Sequence, residues 1–132
     1  GPLAGVLAGL DWAAELGATA IVTVAADTPF FPRDLTQTLT ASAAQEGHAI
    51  ALAATPDPER GSVRHPTFGL WPTALRDDLR AALADGVRKV VAWPDRHGTA
   101  TALFDTGDID PFFNVNTPED LALARSLLAT AP

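Results

Sequence analysis

Cysteine is absent from this sequence, basic residues are few, and no apolar run is long. The lack of cysteine excludes disulfide bonds and thiolate chemistry. Nine Lys and Arg residues stand against 16 Asp and Glu residues, which gives a net charge of −7. A nucleic-acid-binding surface usually needs a basic face, so we expect no nucleic-acid partner. A membrane span needs roughly 20 consecutive apolar residues, and because no run approaches that length we expect no membrane partner.

What the sequence does contain is enough apolar residues to build a core. Of its 132 residues, 47% are hydrophobic and only 19% are charged, which is too few charges for a disordered chain. The length suits a single α/β domain over residues 1–132. The first nine residues lack the basic start and the cleavage pattern of a signal peptide, so we expect a cytoplasmic protein.

A predicted buried strand is followed by a carboxylate in the stretch Ile21–Leu35, which reads IVTVAADTPFFPRDL. Asp27 stands where the strand, Ile21 to Ala25, runs out. In an open α/β sheet the ligand crevice lies beyond the carboxyl ends of the strands, and a carboxylate there suits a hard cation such as Mg2+. Asp also stabilises turns by bonding to its own backbone. Asp27 is therefore a candidate metal ligand or a turn residue.

Helical and strand-like patterns alternate along the chain. Apolar residues recur at helical spacing in segments that begin near Leu3, Leu35, Leu75 and Leu121. Apolar runs predict strands at Ala20–Ala25, His48–Ala54, Thr67–Trp71 and Thr99–Asp105. Strands joined by a helix predict a βαβ unit with a right-handed crossover. The proline-rich segment Thr55–Pro66 is predicted to be a loop, and Pro94–Gly98 a turn. Val87–Trp93 fits either a strand or a short exposed helix.

Two asparagines precede a strong helix start near the end of the chain. Thr117 is a candidate N-cap, with Pro118 at the first helical position and an acid at the third. Asn114 and Asn116 stand just before it, in the short apolar segment Phe112–Asn116, and we expect them to follow a strand. They are candidates to face the same crevice as Asp27, although Asn also simply suits a turn.

The remaining candidates are a glycine-containing start and the histidines. Gly1–Gly5, GPLAG, is predicted to be a loop that opens a helix and lets backbone approach a ligand. A plain turn, or the remnant of a cleaved purification tag, would also explain Gly1 and Pro2. The three histidines lack the spacing of a zinc site. Among them His65, in the proline-bounded loop, is a candidate substrate contact or an ordinary loop residue.

Taken in order, these segments resemble the molybdenum cofactor guanylyltransferases. The matching segments read GPLAG, ADTPFFPRDL, HPTFGL, GVRKVVAW and FFNVNTPEDL. The resemblance spans nearly the whole chain, and its most specific parts are the DTP after the strand and the NVNTPED before the last helix. It implies a nucleotidyltransferase-type, doubly wound, Rossmann-like α/β sheet that is mostly parallel and incomplete at its N-terminal side.

The resemblance also implies roles for individual residues. Members of the family use GTP and Mg2+ to attach GMP to the terminal phosphate of the molybdenum cofactor, molybdopterin. Asp27 would then be the metal carboxylate and, with Asn116, a catalytic residue. Asn114 and Asn116 would lie on the pterin side, with Arg64 and His65 as further cofactor contacts. The backbone near the nucleotide would come from Gly1, Pro2, Leu3, Ala4 and Gly5.

Further expectations follow from the resemblance and from what this sequence leaves out. The family's glycine-rich LAGG-type nucleotide loop, with its nearby Arg and Lys, is not in this sequence, so we expect a C-terminal portion that is inactive alone. An incomplete sheet would expose an edge through which the chain could dimerise. Molybdoenzyme maturation proteins are possible partners. Two other functions stay open, namely a cytidylyltransferase or related sugar or cofactor nucleotidyltransferase, and a non-catalytic cofactor-binding module.

Overall fold

A computed structural model describes residues 2–106 and 110–130 of the chain. Helices and strands alternate in its first half, and a β-hairpin follows. In chain order the elements are α1 (Pro2–Glu15), β1 (Ala20–Thr23), α2 (Leu35–Glu46), β2 (Ile50–Asp57), β3 (Gly61–Pro72), a 3-10 turn (Thr73–Leu75), α3 (Arg76–Ala84), α4 (Ala92–His97), β4 (Thr99–Leu103) and α5 (Pro118–Thr130).

The four strands form one mixed sheet in the order β1-β3-β2-β4. β3 is antiparallel to both β1 and β2, while β4 is parallel to β2. The predicted α/β class is confirmed, and β1, β2 and β4 run in the same direction as expected of a mostly parallel sheet. The pairing differs from that expectation, because β3 turns back from β2 and inserts between the two strands of the predicted βαβ unit.

Helices cover both faces of this sheet. Ile50 and Leu52 of β2 pack with α1 and α3 in one buried cluster, while Ala51 and Ala53 pack with α2 in another. All four side chains are fully buried. Because successive strand residues point to opposite faces, a strand covered on both sides must be apolar throughout, which is why β2 lacks polar alternation.

The predicted loop at Thr55–Pro66 is wrong, because most of that segment is a β-hairpin. Its turn is closed by Asp57, whose Oδ1 accepts hydrogen bonds from the backbone N–H groups of Glu59 (2.8 Å) and Arg60 (2.9 Å). Pro66 is tolerated in β3 because the pairing with β2 is irregular there, shifting from Leu52–Gly69 to Ala53–His65. A bulge of this kind leaves residues without ladder partners, where proline costs no hydrogen bond.

Three further predictions differ from the structure. α1 begins at Pro2, so the expected loop up to Gly5 is wrong: proline suits the first helical turn, where its missing N–H is not needed. The expected turn at Pro94–Gly98 lies largely in α4, whose third residue is Pro94, for the same reason. The two asparagines do not directly follow a strand as expected, because residues 110–116 are irregular.

The predicted helix ends are largely confirmed. Gly47 ends α2 with a φ of 71°, the left-handed conformation that glycine adopts most easily. The Thr117 hydroxyl accepts a hydrogen bond from the Asp120 N–H at 3.0 Å, as an N-cap does. Across the described parts of the chain, we find no helix with the length and apolar character needed to cross a membrane.

Candidate functional site

Asp27 lies beyond the carboxyl end of β1, where the sequence predicted it. β1 ends at Thr23, and the chain then runs through an irregular, proline-containing segment to α2. The Asp27 side chain is exposed to solvent, whereas its neighbour Thr28 is only 2% exposed. The carboxylate is therefore accessible to a ligand on the side of the sheet where the parallel strands β1, β2 and β4 have their carboxyl ends.

The segment that carries the two asparagines returns to this point. The Val115 N–H donates a hydrogen bond of 2.7 Å to the Asp27 carbonyl oxygen. The Thr28 hydroxyl contacts two oxygens, Asn114 Oδ1 at 2.9 Å and Asp27 Oδ1 at 3.2 Å. The structure thus brings Asp27 and Asn114 together. Asn116 is one residue beyond this contact, and its N–H donates to Asp120 Oδ2 at 3.1 Å.

A mostly apolar cleft of about 450 Å3 opens beside Asp27. One wall comes from the β1–α2 connection, and the other comes from Val115 and one side of α5. The lining residues are Ala26, Asp27, Pro29, Val115, Leu121, Ala124 and Arg125. A ligand in this cleft would meet one carboxylate and one guanidinium, with apolar surface between them.

His65 packs behind the asparagine segment. Its ring stacks on Phe112, with ring centroids 4.4 Å apart and planes inclined by 18°. Its Nε2 is 2.9 Å from the Thr55 hydroxyl. Partial burial lowers the pKa of His65, and the nearby Asp110 carboxylate opposes that shift. His65 therefore contacts the segment that carries Asn114 and is not among the residues that line the cleft.

Arg64 does not reach the cleft beside Asp27. Its guanidinium forms a two-pronged ion pair with Asp95 of α4, at 2.8 and 2.9 Å. This hydrogen bonding raises the pKa of Arg64 and lowers that of Asp95. The predicted cofactor contact is thus occupied by an internal partner that fixes α4 against β3.

The GPLAG segment is divided between core and surface. Pro2 and Gly5 line a second cleft of about 320 Å3, together with Thr23 and Val24 from the end of β1. Leu3 is 1% exposed and belongs to the core under α1, so its side chain is not available to a nucleotide. Ala4 is exposed and lines a separate hollow beside α3. Gly1 lies outside the described residues.

The donors at Asp27 fit a magnesium site of the open kind. Within residues 2–106 and 110–130, no group of three or more His, Asp or Glu side chains could hold a metal ion. Mg2+ is commonly held by one or two carboxylates, with water and substrate phosphates completing its shell. A single accessible carboxylate is compatible with that arrangement.

Two residues of this site were not among the sequence-based candidates. Thr28 is a buried polar residue whose partner Asn114 is 86 positions away, so no local pattern marks it. Arg125 lies one helical turn after Leu121 on α5, and both line the cleft. The i, i+4 spacing of an apolar and a basic residue after the NVNTPED segment was the available signal for Arg125.

Comparison with known proteins places this chain in a family. Residues 1–100 match the MobA-like NTP transferase domain. The chain belongs to that family. A molybdenum cofactor guanylyltransferase of Bradyrhizobium sp. (strain ORS 278) is 49% identical to it over 132 residues, which are 98% of this chain and 60% of that protein. One from Cereibacter sphaeroides is 52% identical over 128 residues, 97% of this chain and 61% of that protein. The chain thus spans about 60% of the length of these relatives.

Solved structures agree with the MobA-like fold. The molybdopterin-guanine dinucleotide biosynthesis protein A of Archaeoglobus fulgidus matches with a TM-score of 0.68 at 21% identity, over 98% of this chain and 63% of that one. The 2-C-methyl-D-erythritol 4-phosphate cytidylyltransferase of Thermus thermophilus matches with a TM-score of 0.70 at 20% identity, over 97% of this chain and 69% of that one. At these identities the likeness describes the fold alone.

Proposed function

We propose that the protein containing this chain transfers GMP from GTP to the terminal phosphate of the molybdenum cofactor, forming molybdopterin-guanine dinucleotide. The observation that carries the proposal is the meeting of Asp27 and Asn114 at the carboxyl end of β1, in a chain of the MobA-like family. Relatives that are 49% and 52% identical carry the name molybdenum cofactor guanylyltransferase. We expect the 132 residues alone not to catalyse this transfer.

The reaction joins two anions, because a phosphate oxygen of the cofactor attacks the α-phosphorus of GTP and pyrophosphate leaves. When bound, Mg2+ offsets the repulsion between them and polarises the reacting phosphate. Asp27 is the residue we assign to the ion, since its carboxylate is exposed while its backbone carbonyl is held by Val115. The bond from Val115 thus anchors the backbone of the residue that carries the carboxylate.

The other residues would bind and orient the substrates. The amide side chains of Asn114 and Asn116 can donate and accept hydrogen bonds, which suits the edge of a pterin. Arg125 places a positive charge on the opposite wall of the cleft from Asp27. We assign Pro2 and Gly5, which line the cleft at the end of β1, to the nucleotide side.

The test is a transfer assay on the full-length protein that contains this chain, with and without Asp27→Asn. This substitution keeps the size of the side chain and removes its charge. Mg2+-dependent transfer should fall by orders of magnitude while the protein remains folded. Unchanged activity would remove Asp27 from the site. Asp77→Asn, at an exposed carboxylate in the first turn of α3 and away from the carboxyl ends of the parallel strands, is the matched control and should leave transfer unchanged.

The choice of base is tested in the same assay. A cytidylyltransferase has the same fold as this chain, and the fold does not determine which base is used. CTP is therefore the competitor to test. We expect GTP to be used and CTP to compete poorly. Preferential use of CTP would reassign the protein as a cytidylyltransferase, and binding of cofactor without transfer from either nucleotide would identify a non-catalytic module.

A further inference from the structure

Thr28 is a buried polar residue between the two side chains that we assign to substrates and metal. It is 2% exposed, and among the described residues the only other buried polar residue is Thr55, at 6%. Burying a hydroxyl without a hydrogen bond costs free energy. The Thr28 hydroxyl avoids that cost through its two contacts, and no described buried side-chain polar atom lacks a partner.

Those two contacts join segments that are distant in the chain. Asn114 Oδ1 lies 2.9 Å and Asp27 Oδ1 lies 3.2 Å from the Thr28 hydroxyl oxygen. A hydroxyl carries one proton, which these two acceptors share. Neither Asp27 nor Asn114 is buried, so without Thr28 the surrounding packing would not hold either side chain in one rotamer.

The backbone adds a second connection that does not depend on the hydroxyl. The Val115 N–H binds the Asp27 carbonyl oxygen at 2.7 Å and so keeps the two segments adjacent. Removing the Thr28 hydroxyl should therefore release the side chains without separating the segments. This separation of effects makes the role of Thr28 measurable.

We propose that Thr28 is a positioning residue, whose hydroxyl fixes the Asp27 carboxylate and the Asn114 amide relative to each other. The hydroxyl donates a hydrogen bond to Oδ1 of Asp27, which leaves Oδ2 to bind a cation. One buried group thereby sets the distance between the metal carboxylate and the pterin-side amide. The link between the three side chains stands on geometry alone, while its importance for transfer rests on the proposed function.

The test uses Thr28→Val, which keeps the shape of the side chain and removes the hydroxyl, and Thr28→Ser, which restores the hydroxyl. Thr38→Val is the matched control, because the Thr38 hydroxyl also donates to a carboxylate, that of Asp34 at 3.2 Å, in an exposed part of α2. NMR relaxation of the Asn114 side-chain amide in the 132-residue chain reports its mobility. Chemical denaturation and the Val115 amide signal report whether each variant is folded.

In Thr28→Val we expect the order parameter of the Asn114 side chain to fall below about 0.6, the flexible range. Thr28→Ser and Thr38→Val should match the unsubstituted chain, and the Val115 amide should stay protected from exchange in all three variants. An Asn114 side chain that is equally rigid in Thr28→Val and in the unsubstituted chain would overturn the proposal. So would a failure of Thr28→Ser to restore rigidity in a folded protein.

A titration with Mn2+ alone separates this inference from the proposed function. Paramagnetic broadening should reach the Asn114 side-chain amide in the unsubstituted chain and in Thr28→Ser. In Thr28→Val the Mn2+ concentration that gives half-maximal broadening should rise at least about threefold, which is the size of affinity change that one lost hydrogen bond produces. Absence of broadening near Asp27 in the unsubstituted chain would contradict the metal site, while the mobility of Asn114 would still decide the role of Thr28.

Discussion

The imidazole ring of His65 lies flat against the ring of Phe112, with centroids 4.4 Å apart. Phe112 in turn meets Phe68 and Phe104 edge-on, at 4.8 and 5.7 Å. Stacked and edge-on aromatic contacts of this kind stabilise beyond the area that they bury. Because Phe112 is two residues before Asn114, this aromatic cluster anchors the segment that carries the site to the sheet.

The partial burial of His65 makes the stability of the chain depend on pH. Burial lowers the pKa of His65 below its ordinary 6.5, so the unfolded chain binds the proton more tightly than the folded one. The stabilising contribution is therefore present above about pH 6.5 and declines as the pH falls toward the lowered pKa. We expect the free energy of unfolding to decrease between about pH 7 and pH 5.5.

Urea titrations of the unsubstituted chain and of His65→Gln at several pH values measure this effect. The difference in the free energy of unfolding between the two proteins should shrink as the pH falls, because only the unsubstituted chain has a side chain at position 65 that gains a proton. A difference that stays constant from pH 7 to pH 5.5 would contradict the lowered pKa.

A glycine after α4 is predicted to be far more sensitive to substitution than a glycine before it. Gly98 has a φ of 85°, and a Cβ there would lie 2.7 Å from the His48 ring. Gly86 has a φ of 95° with no atom within 4 Å of that position. Gly86→Ala should therefore cost only the conformational strain of about 1–2 kcal/mol. Gly98→Ala should cost roughly 1–3 kcal/mol more, because the His48 ring must move and because a ψ of 130° at this positive φ lies outside the left-handed helical region. Equal losses in thermal or chemical unfolding would contradict both causes.

The local parts of this architecture were predictable, and the non-local ones were not. Asp27 follows a buried strand, and the start of α5 is signalled by its N-cap Thr117 and the residues next to it. Both features could therefore be predicted from neighbouring residues in the sequence. The role of Thr28 depends on a contact 86 positions away, and Arg64 is paired with Asp95, 31 positions away. Those partners were brought together by the insertion of β3 and by the return of segment 112–116, which periodicity does not encode.

The indole of Trp71 gives a prediction about the centre of the sheet. Its Nε1–H donates a 2.9 Å hydrogen bond to the Thr23 hydroxyl, and the Trp71 side chain is fully buried. Thr23→Val would leave a buried donor without this acceptor at unchanged side-chain volume. We expect a loss of about 1–3 kcal/mol in the free energy of unfolding. Thr19→Val, the same change at an exposed position just before β1, is the control and should lie within about 0.5 kcal/mol of zero.

The outer edge of β1 gives the last prediction, which concerns self-association. Among the described strands, β1 pairs only with β3, so its other edge carries no strand. Val24, just beyond β1, is 50% exposed, and Leu103 at the end of the opposite edge strand β4 is 57% exposed. Open strand edges pair with other chains, and a lysine on an edge opposes such pairing. We expect light scattering to find dimers of the 132-residue chain that Val24→Lys weakens, while Leu103→Lys tests the other open edge, that of β4, in the same way. A monodisperse monomer at high concentration, or an equal effect of both substitutions, would argue against association through β1.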